Sequence, residues 1–524
     1  MTVYMSWLYL HVDCYCSVSR PTPSEVVYYF LLFVERKFPT IIMRETLVPA
    51  NRLNRHQRHE AFWQGRKRKF FLAIGVLSIM LQLLFSGNMS YLYGSIWKSA
   101  DRYHAFKVLY IDYDGGVVGQ SVRQAYQQLE GPAFPTLVQR DQNQYPSPED
   151  VVRAVKETTY WAAFMANPNA SDRLALGLKG GEAARNYDPS SALTYVWNEV
   201  RYPPFSDEAI EGSFEILAAA TRLAYNQLNG TATLGSMNKE DAGAVQVLLN
   251  PIMASTINIM PTAQGTKLFY NTVSMVMPIL QQFFFLLILN GLSHELHLYS
   301  KLPIHISGLV RLGLSVAFDL LASLCMSGYI WAFRESWSVT ANQFVLTWMV
   351  LWLLMHIHFL ILDSSTAFLP LPALPFFVLT WIIINITSSI SPFEINPSFY
   401  RWGYALPANE AYTVLTDIWS FGNVPQLYRA MPILFSWWIL GLSLATYGHF
   451  YRCHKAEKQD ERMEKLNKTM STRSQQKEND SNLPSLRMTP SQTLLEATEL
   501  YRRAYGPSVP LPFGLGRELA IPHT

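Results

Sequence analysis

Asp112 and Asp114 end an apolar run, and Gly115-Gly116 then opens a helix-like segment in "KVLYIDYDGGVVGQSVRQAYQQL" (107–129). A carboxylate at the end of a strand is a position from which an aspartate can attack a phosphate. His294 and His297 in "HELH", with His305 close behind, offer metal chemistry. Arg311, Asp319 and His356 stand inside long apolar stretches. A charge in a bilayer is costly, so each of these three needs a partner or a task.

Each set is tested by what surrounds it. The aspartate turn resembles the "DxDGT" turn of haloacid-dehalogenase phosphatases. Such a site also needs a downstream Lys and an acidic pair behind another buried strand to hold Mg²⁺. The acidic pairs Glu149-Asp150 and Glu240-Asp241 do not follow strands. "GGVVG" is not the GxGxxG of a dinucleotide turn, and no GxxxxGK[ST] occurs in the chain. The expectation is therefore no enzyme, no catalytic residue and no cofactor. Gly115 and Gly116 make a strand-to-helix turn, and Asp114 accepts hydrogen bonds from the helix N–H groups. "HELH" is not HExxH, and an ordinary interfacial loop explains it, so no metal is expected. His356 and His358 are two apart and point to opposite sides of a helix.

The elements that position these residues are membrane helices. Apolar residues are 49% of the chain and are gathered in blocks, and blocks of about 20 span a bilayer. Six are read: 69–90, 272–293, 307–333, 343–363, 368–390 and 431–451. Pro370, Pro372 and Pro375 make a re-entrant path the alternative for 368–390. Arg and Lys crowd 44–69, which sets the N-terminal side as cytoplasmic. The fold class expected is an α-helical polytopic membrane protein of about six helices, with a small α/β domain between the first and second. The divisions are a cytoplasmic tail (1–68), a helix (69–90), an extracytoplasmic domain (91–271), a membrane domain (272–451) and a disordered cytoplasmic tail (452–524). Residues 1–42 fit no targeting pattern, and Met43 is the expected start. The net charge of +3 gives no reason to expect nucleic acid. Cysteines 14, 16, 325 and 453 leave 95–270 without a disulfide framework.

In the extracytoplasmic domain a βαβαβ unit is predicted. Its strands are 107–113, 136–140 and 160–166, with helices over 117–129 and 147–159. Ser147 caps the second helix, followed by Pro148, Glu149 and Asp150. Residues 190–228 read as helical, with a break at Pro203-Pro204. Asn169 and Asn229 are glycosylation acceptors there. Asn88 has a sequon at the membrane surface. Asn385, in a span, and Asn467, in the tail, are expected unmodified.

The stretch 108–174 resembles the extracellular domain of ABC-type-two export permeases and their Pip/phage-infection relatives. More closely, "RKRKFF" (66–71), "YLYGSIWKSADRYHAFKVLYIDYD" (91–114) and "FYRWGYALPANEAYTVLTDIW" (399–419) resemble the fungal nitrosoguanidine-resistance family of membrane proteins. The resemblance covers about 65–455 and is of the domain-of-unknown-function type. It implies a resistance role, by export of toxic compounds or by altering plasma-membrane lipid organisation, and it brings no catalytic residues.

Asp319 with His356 or Arg311 is read as a proton or cation relay or as a polar clamp. Gln281, Gln282, Asn290 and Asn385 are read as clamps between helices. Tyr400, Trp402, Tyr404 and Trp419 stand in an aromatic segment, 391–430, read as an interfacial anchor or outer gate. Expected partners are the lipid bilayer, small toxic molecules or lipids as substrates, and a second copy of the chain. The expected location is the plasma membrane or another secretory-pathway membrane, with both termini cytoplasmic. The alternative is a membrane protein that binds lipids or partners without transport.

Overall fold

The computed structural model describes residues 66–479. Met43, most of the basic 44–69 stretch and the tail from 480 lie outside the described residues. The described residues fall into two units, divided between residues 81 and 82. The first described helix, α1, spans Arg66–Ser95. Its side chains Phe70, Leu72, Leu77 and Ile79 are exposed. A helix apolar on all sides needs lipid, not water, around it.

In the second unit a five-stranded sheet is built from β1 (Lys107–Asp112), β2 (Thr136–Arg140), β3 (Ala162–Ala166), β4 (Leu193–Trp197) and β5 (Ala254–Asn258). The order is β2-β1-β3-β4-β5. β1 is parallel to β2 and β3, β4 is antiparallel to β3, and β5 is parallel to β4. Period-two alternation sends Val108 and Tyr110 to one face and Leu109 and Ile111 to the other. The first face packs on α2 (Val117–Leu129) and α5 (Gly212–Ser236) through Val118, Val122, Phe214 and Leu217. The second packs on α3 (Pro148–Lys156) through Val151, Ala154 and Val155. Both faces are covered, so β3 is buried along its whole length. Ser147 and Asp150 form a reciprocal cap at the start of α3. Helices α4 (Ala170–Leu178) and α6 (Ala242–Leu249) pack beside this layer.

The βαβαβ expectation is therefore too small, and the helical reading of 190–228 fails at 193–197. "LTYVW" is a strand because its β-branched and aromatic residues are buried on both faces. A short run of that kind has no alternation to mark it as a strand.

The helical layer comprises α7 (Val273–Glu295), α8 (Leu298–Lys301), α9 (Ile304–Ala332), α10 (Ala341–Phe368), α11 (Leu374–Ser389), α12 (Pro407–Trp419) and α13 (Leu427–Asn479). Among the described residues five helices, α1, α7, α9, α10 and α13, are long and apolar enough to cross a membrane. α11 has 16 residues, about 24 Å of rise, short of the ~30 Å hydrocarbon core. Prolines at its start cut it back from the expected 368–390. α10 is central and packs against α7, α9, α12 and α13. The tail does not leave the fold at 452. α13 continues to Asn479 as one helix of 53 residues. Its later turns are rich in Glu, Lys, Met and Arg, good helix formers, and Glu464 pairs with Lys468 at 3.0 Å.

Candidate functional site

The aspartate turn is filled by its own hydrogen bonds. Asp112 Oδ1 accepts from Gly115 N at 2.9 Å and Asp114 N at 3.2 Å, and Oδ2 pairs with Arg123 Nη1 at 2.6 Å. Asp114 accepts from Gly116 N at 3.1 Å, Ser171 N at 2.7 Å and Ser171 Oγ at 2.5 Å. Ser171 Oγ in turn accepts from Val118 N at 3.0 Å, and so caps the start of α2. Both carboxylates are committed to a strand–turn–helix joint. Gly115 has φ +62°, a value that favours glycine.

The helical layer holds two polar clusters, both across α9 and α10. In the first, Asp319 Oδ2 lies 2.8 Å from His356 Nδ1, and both residues are buried. Gln282 of α7 is fully buried beside Asp319. Asp319 Oδ1 and both amide atoms of Gln282 make no well-aligned hydrogen bond among the described residues, though the Gln282 amide lies within interaction distance of the Asp319 carboxyl. In the second, Arg311 does not turn toward Asp319. It pairs with Asp363, donates to Tyr299 Oη at 2.8 Å and to Asn290 Oδ1 at 2.7 Å. Arg452 of α13 reaches the same Asp363 Oδ1 at 3.0 Å and Thr366 Oγ1 at 2.9 Å. The two pairs, 319 with 356 and 311 with 363, are about two turns apart on each helix, which fixes the antiparallel register of α9 on α10.

The remaining clamp candidates divide. Asn385 donates to Trp381 O at 2.9 Å and accepts from Ala408 N at 3.3 Å, tying α11 to α12. Gln281 is half-buried, and its Oε1 has no partner among the described residues. His358 accepts from Trp381 Nε1 at 3.1 Å. His297 lies 3.5 Å from Asp460 of α13. Asn88 is buried and donates to Thr380 Oγ1 at 3.2 Å, not at a free surface. Asn169 is exposed, and Asn229 is half-buried on α5.

The aromatic segment is not a simple interfacial belt. Tyr400 Oη donates to Tyr91 O at 2.9 Å, and the Trp402 ring lies tilted 6.1 Å from the Tyr91 ring. Trp419 is fully buried, with Nε1 on Thr347 Oγ1 at 3.0 Å. α12, with Ala408, Ala411, Tyr412 and Leu415 buried, is a core element between α10, α11 and α13. Gln343 closes it by donating to the carbonyls of Ile418 and Trp419 at 2.8 and 3.2 Å. Where α12 meets the sheet domain, a cavity of about 240 Å³ is lined by Trp161, Arg201, Glu394, Tyr404, Tyr412 and Arg429 among others. A second groove, of about 720 Å³, shares α12 and is lined mainly by apolar side chains such as Leu346, Met349 and Leu434.

At the base of the sheet domain Glu199 is held by Lys267 at 2.7 Å, Thr262 Oγ1 at 2.5 Å and Asn258 Nδ2 at 2.7 Å. Burial opposes its charge, but these donors outweigh burial and keep the carboxyl below its ordinary range. Burial lowers the Arg201 guanidinium from its ordinary range.

A family described as "Protein of unknown function (DUF3533)" matches residues 77–443. The chain belongs to this family. No solved structure matches it. The DUF3533 match takes in the sheet domain, Gln282, Arg311, Asp319, His356 and Asp363, and it ends before Arg452. Asp363 and Arg452 were not singled out from the sequence. Both stand at the ends of apolar runs, where a charge is cheap, and only the packing of α13 on α10 buries them together. Tyr299 and Arg201 carried no signal in sequence.

Proposed function

We propose that this membrane protein of the DUF3533 family is an export-permease-like carrier that contributes to tolerance of toxic compounds, by moving them or by altering lipid organisation. The observation that carries the reading is the Asp319–His356 pair with Gln282 reaching it, buried between three helices and with polar atoms that make no well-aligned hydrogen bond among the described residues. An unpaired polar atom in such a place costs free energy unless water, a proton or a substrate group meets it. An ionisable pair there is suited to a proton relay. The tolerance part of the reading rests on the resemblance carried by 66–71, 91–114 and 399–419. Asp112 and Asp114 have a structural role in this reading, and the chain acts without enzymatic turnover. In this reading the sheet domain faces the extracytoplasmic side, α11 with its flanking residues completes an even number of crossings, and both termini of the chain are cytoplasmic.

A pair of variants tests it. Asp319→Asn keeps shape and hydrogen bonding but removes the ionisable group. The expected outcome is normal abundance in the membrane with sensitivity to alkylating or other toxic compounds. Asp319→Leu is expected to lower abundance, because His356 loses its partner. Normal tolerance in Asp319→Asn at normal abundance rules out the relay.

A second reading, a membrane protein that binds lipids or partners without transport, has one observation in its favour. Arg311, Asp363 and Arg452 form a closed ion-pair cluster, the expected form of a static clamp. The same Asp319→Asn result would support it.

A further inference from the structure

The cavity between the sheet domain and α12 has a feature that the transport reading does not use. Two arginines enter it from different elements, Arg201 after β4 and Arg429 at the start of α13. Each guanidinium lies against an aromatic ring. The Arg201 carbon is 3.6 Å from the Trp161 ring centre, and the Arg429 carbon is 4.7 Å from that of Tyr404. Stacking holds the planar fork in place and leaves its N–H edge free. The Arg201 side chain makes no hydrogen bond among the described residues. Its nearest carboxylate oxygen, Glu394 Oε1, is 3.9 Å away and accepts instead from Trp161 Nε1 at 3.1 Å. Arg429 uses only Nε, on Glu410 Oε2 at 3.3 Å. Tyr412 also lines the cavity. It is 1% exposed, and its hydroxyl has no partner among the described residues.

Unused donors therefore converge from two guanidinium groups and a phenol in one small space. Glu394 beside Arg201 and Glu410 beside Arg429 balance the two arginines in charge, so what the cavity offers is their free N–H edges and not a net charge. At about 240 Å³ the space has room for about eight waters, below the usual ~300–1,000 Å³ of drug-sized sites. A compact, multiply accepting anion matches this donor set.

We propose that this cavity is a binding site for a phosphoryl group, held by Arg201 and Arg429 with the Tyr412 hydroxyl as a further donor. The group belongs either to free phosphate or to a phospholipid headgroup. The inference is independent of whether the bundle transports anything.

Full-length protein in detergent is titrated with inorganic phosphate and, separately, with short-chain phosphatidic acid, at constant ionic strength. Binding is read by the fluorescence of the tryptophans and by the thermal shift. Saturable binding of phosphate identifies the free anion as ligand, and binding of the lipid alone identifies the headgroup. Either supports the site if Arg201→Gln and Arg429→Gln weaken it about tenfold or more. Arg153→Gln, on the exposed surface of α3, leaves it unchanged. Tyr412→Phe keeps the packing and removes only the unpartnered hydroxyl. It is expected to weaken binding without lowering the unfolding temperature of the free protein. That outcome separates a ligand contact from a structural one, even where an arginine variant fails to fold. Absence of saturable binding of both probes at millimolar concentration overturns the proposal. So does binding that Arg429→Gln and Tyr412→Phe leave unaltered.

Discussion

Gly119 sits in the first turn of α2 with the Asp112 carboxylate against it. In most exposed helix interiors, alanine in place of glycine adds about 0.5–1 kcal/mol of stability. Here the added methyl overlaps a carboxylate fixed by Arg123 and Gly115. Gly119→Ala is expected to destabilise by about 1–3 kcal/mol, read as a lower unfolding temperature of the purified protein. A second residue-scale outcome concerns pH. The Glu199 carboxyl is held below its ordinary value in the fold, so its contribution is full above the unfolded value, about 4.3. The contribution is lost as pH falls through the depressed folded value. Glu199→Gln should therefore unfold at lower temperature than the parent near neutrality, and the gap should close in acid. A gap that widens in acid would contradict the assignment.

At the scale of elements, α13 approaches α10 closely where glycines allow it. A Cβ at Gly441 would stand 2.9 Å from Leu360 Cβ, and one at Gly448 would stand 3.0 Å from Ala367 Cβ. Both steps are seven residues, so the two helices run in the same direction with matched register. Gly441→Val is expected to lower membrane abundance markedly, whereas Gly291→Val, with open space around it, is expected to leave abundance near normal. Immunoblots of membrane fractions check this. The same scale shows what sequence makes legible. Long apolar runs near 273–295, 304–332 and 341–368 announce themselves by length, and Ser147-Pro148-Glu149-Asp150 announces a helix start. β4 and the burial of the short helix that begins at Pro407 do not, because their partners lie far along the chain. The Asp319–His356 pairing was among the alternatives open from the sequence, since both charges interrupt apolar runs. Arg311 with Asp363 and Arg452 required three packed helices to become visible.

At the scale of the whole molecule, α13 is one helix from Leu427 to Asn479, about 80 Å of rise. Asn467 lies about 60 Å along that axis from Leu427. With the sheet domain in a secretory lumen, Asn169 is expected to carry glycan and Asn467 to carry none. Endoglycosidase treatment should lower the apparent mass, and Asn169→Gln with Asn229→Gln should remove most of that change. Glycan on Asn467 would overturn this topology.

The two charge pairs across α9 and α10 bear on how the chain enters its membrane. A lone Asp or Arg near the middle of a helix costs about 2.5–3.5 kcal/mol on insertion scales. α9 carries Arg311 and Asp319, and α10 carries Asp363 and His356. Only the residues 333–340 join the two helices. Inserted one after the other, α9 would meet lipid with both charges bare. Inserted together, the helices present each charge to its complement before either meets hydrocarbon. The hairpin is then the smallest piece holding these charges that the translocation machinery can release sideways into lipid, and α9 alone is expected to be retained or degraded.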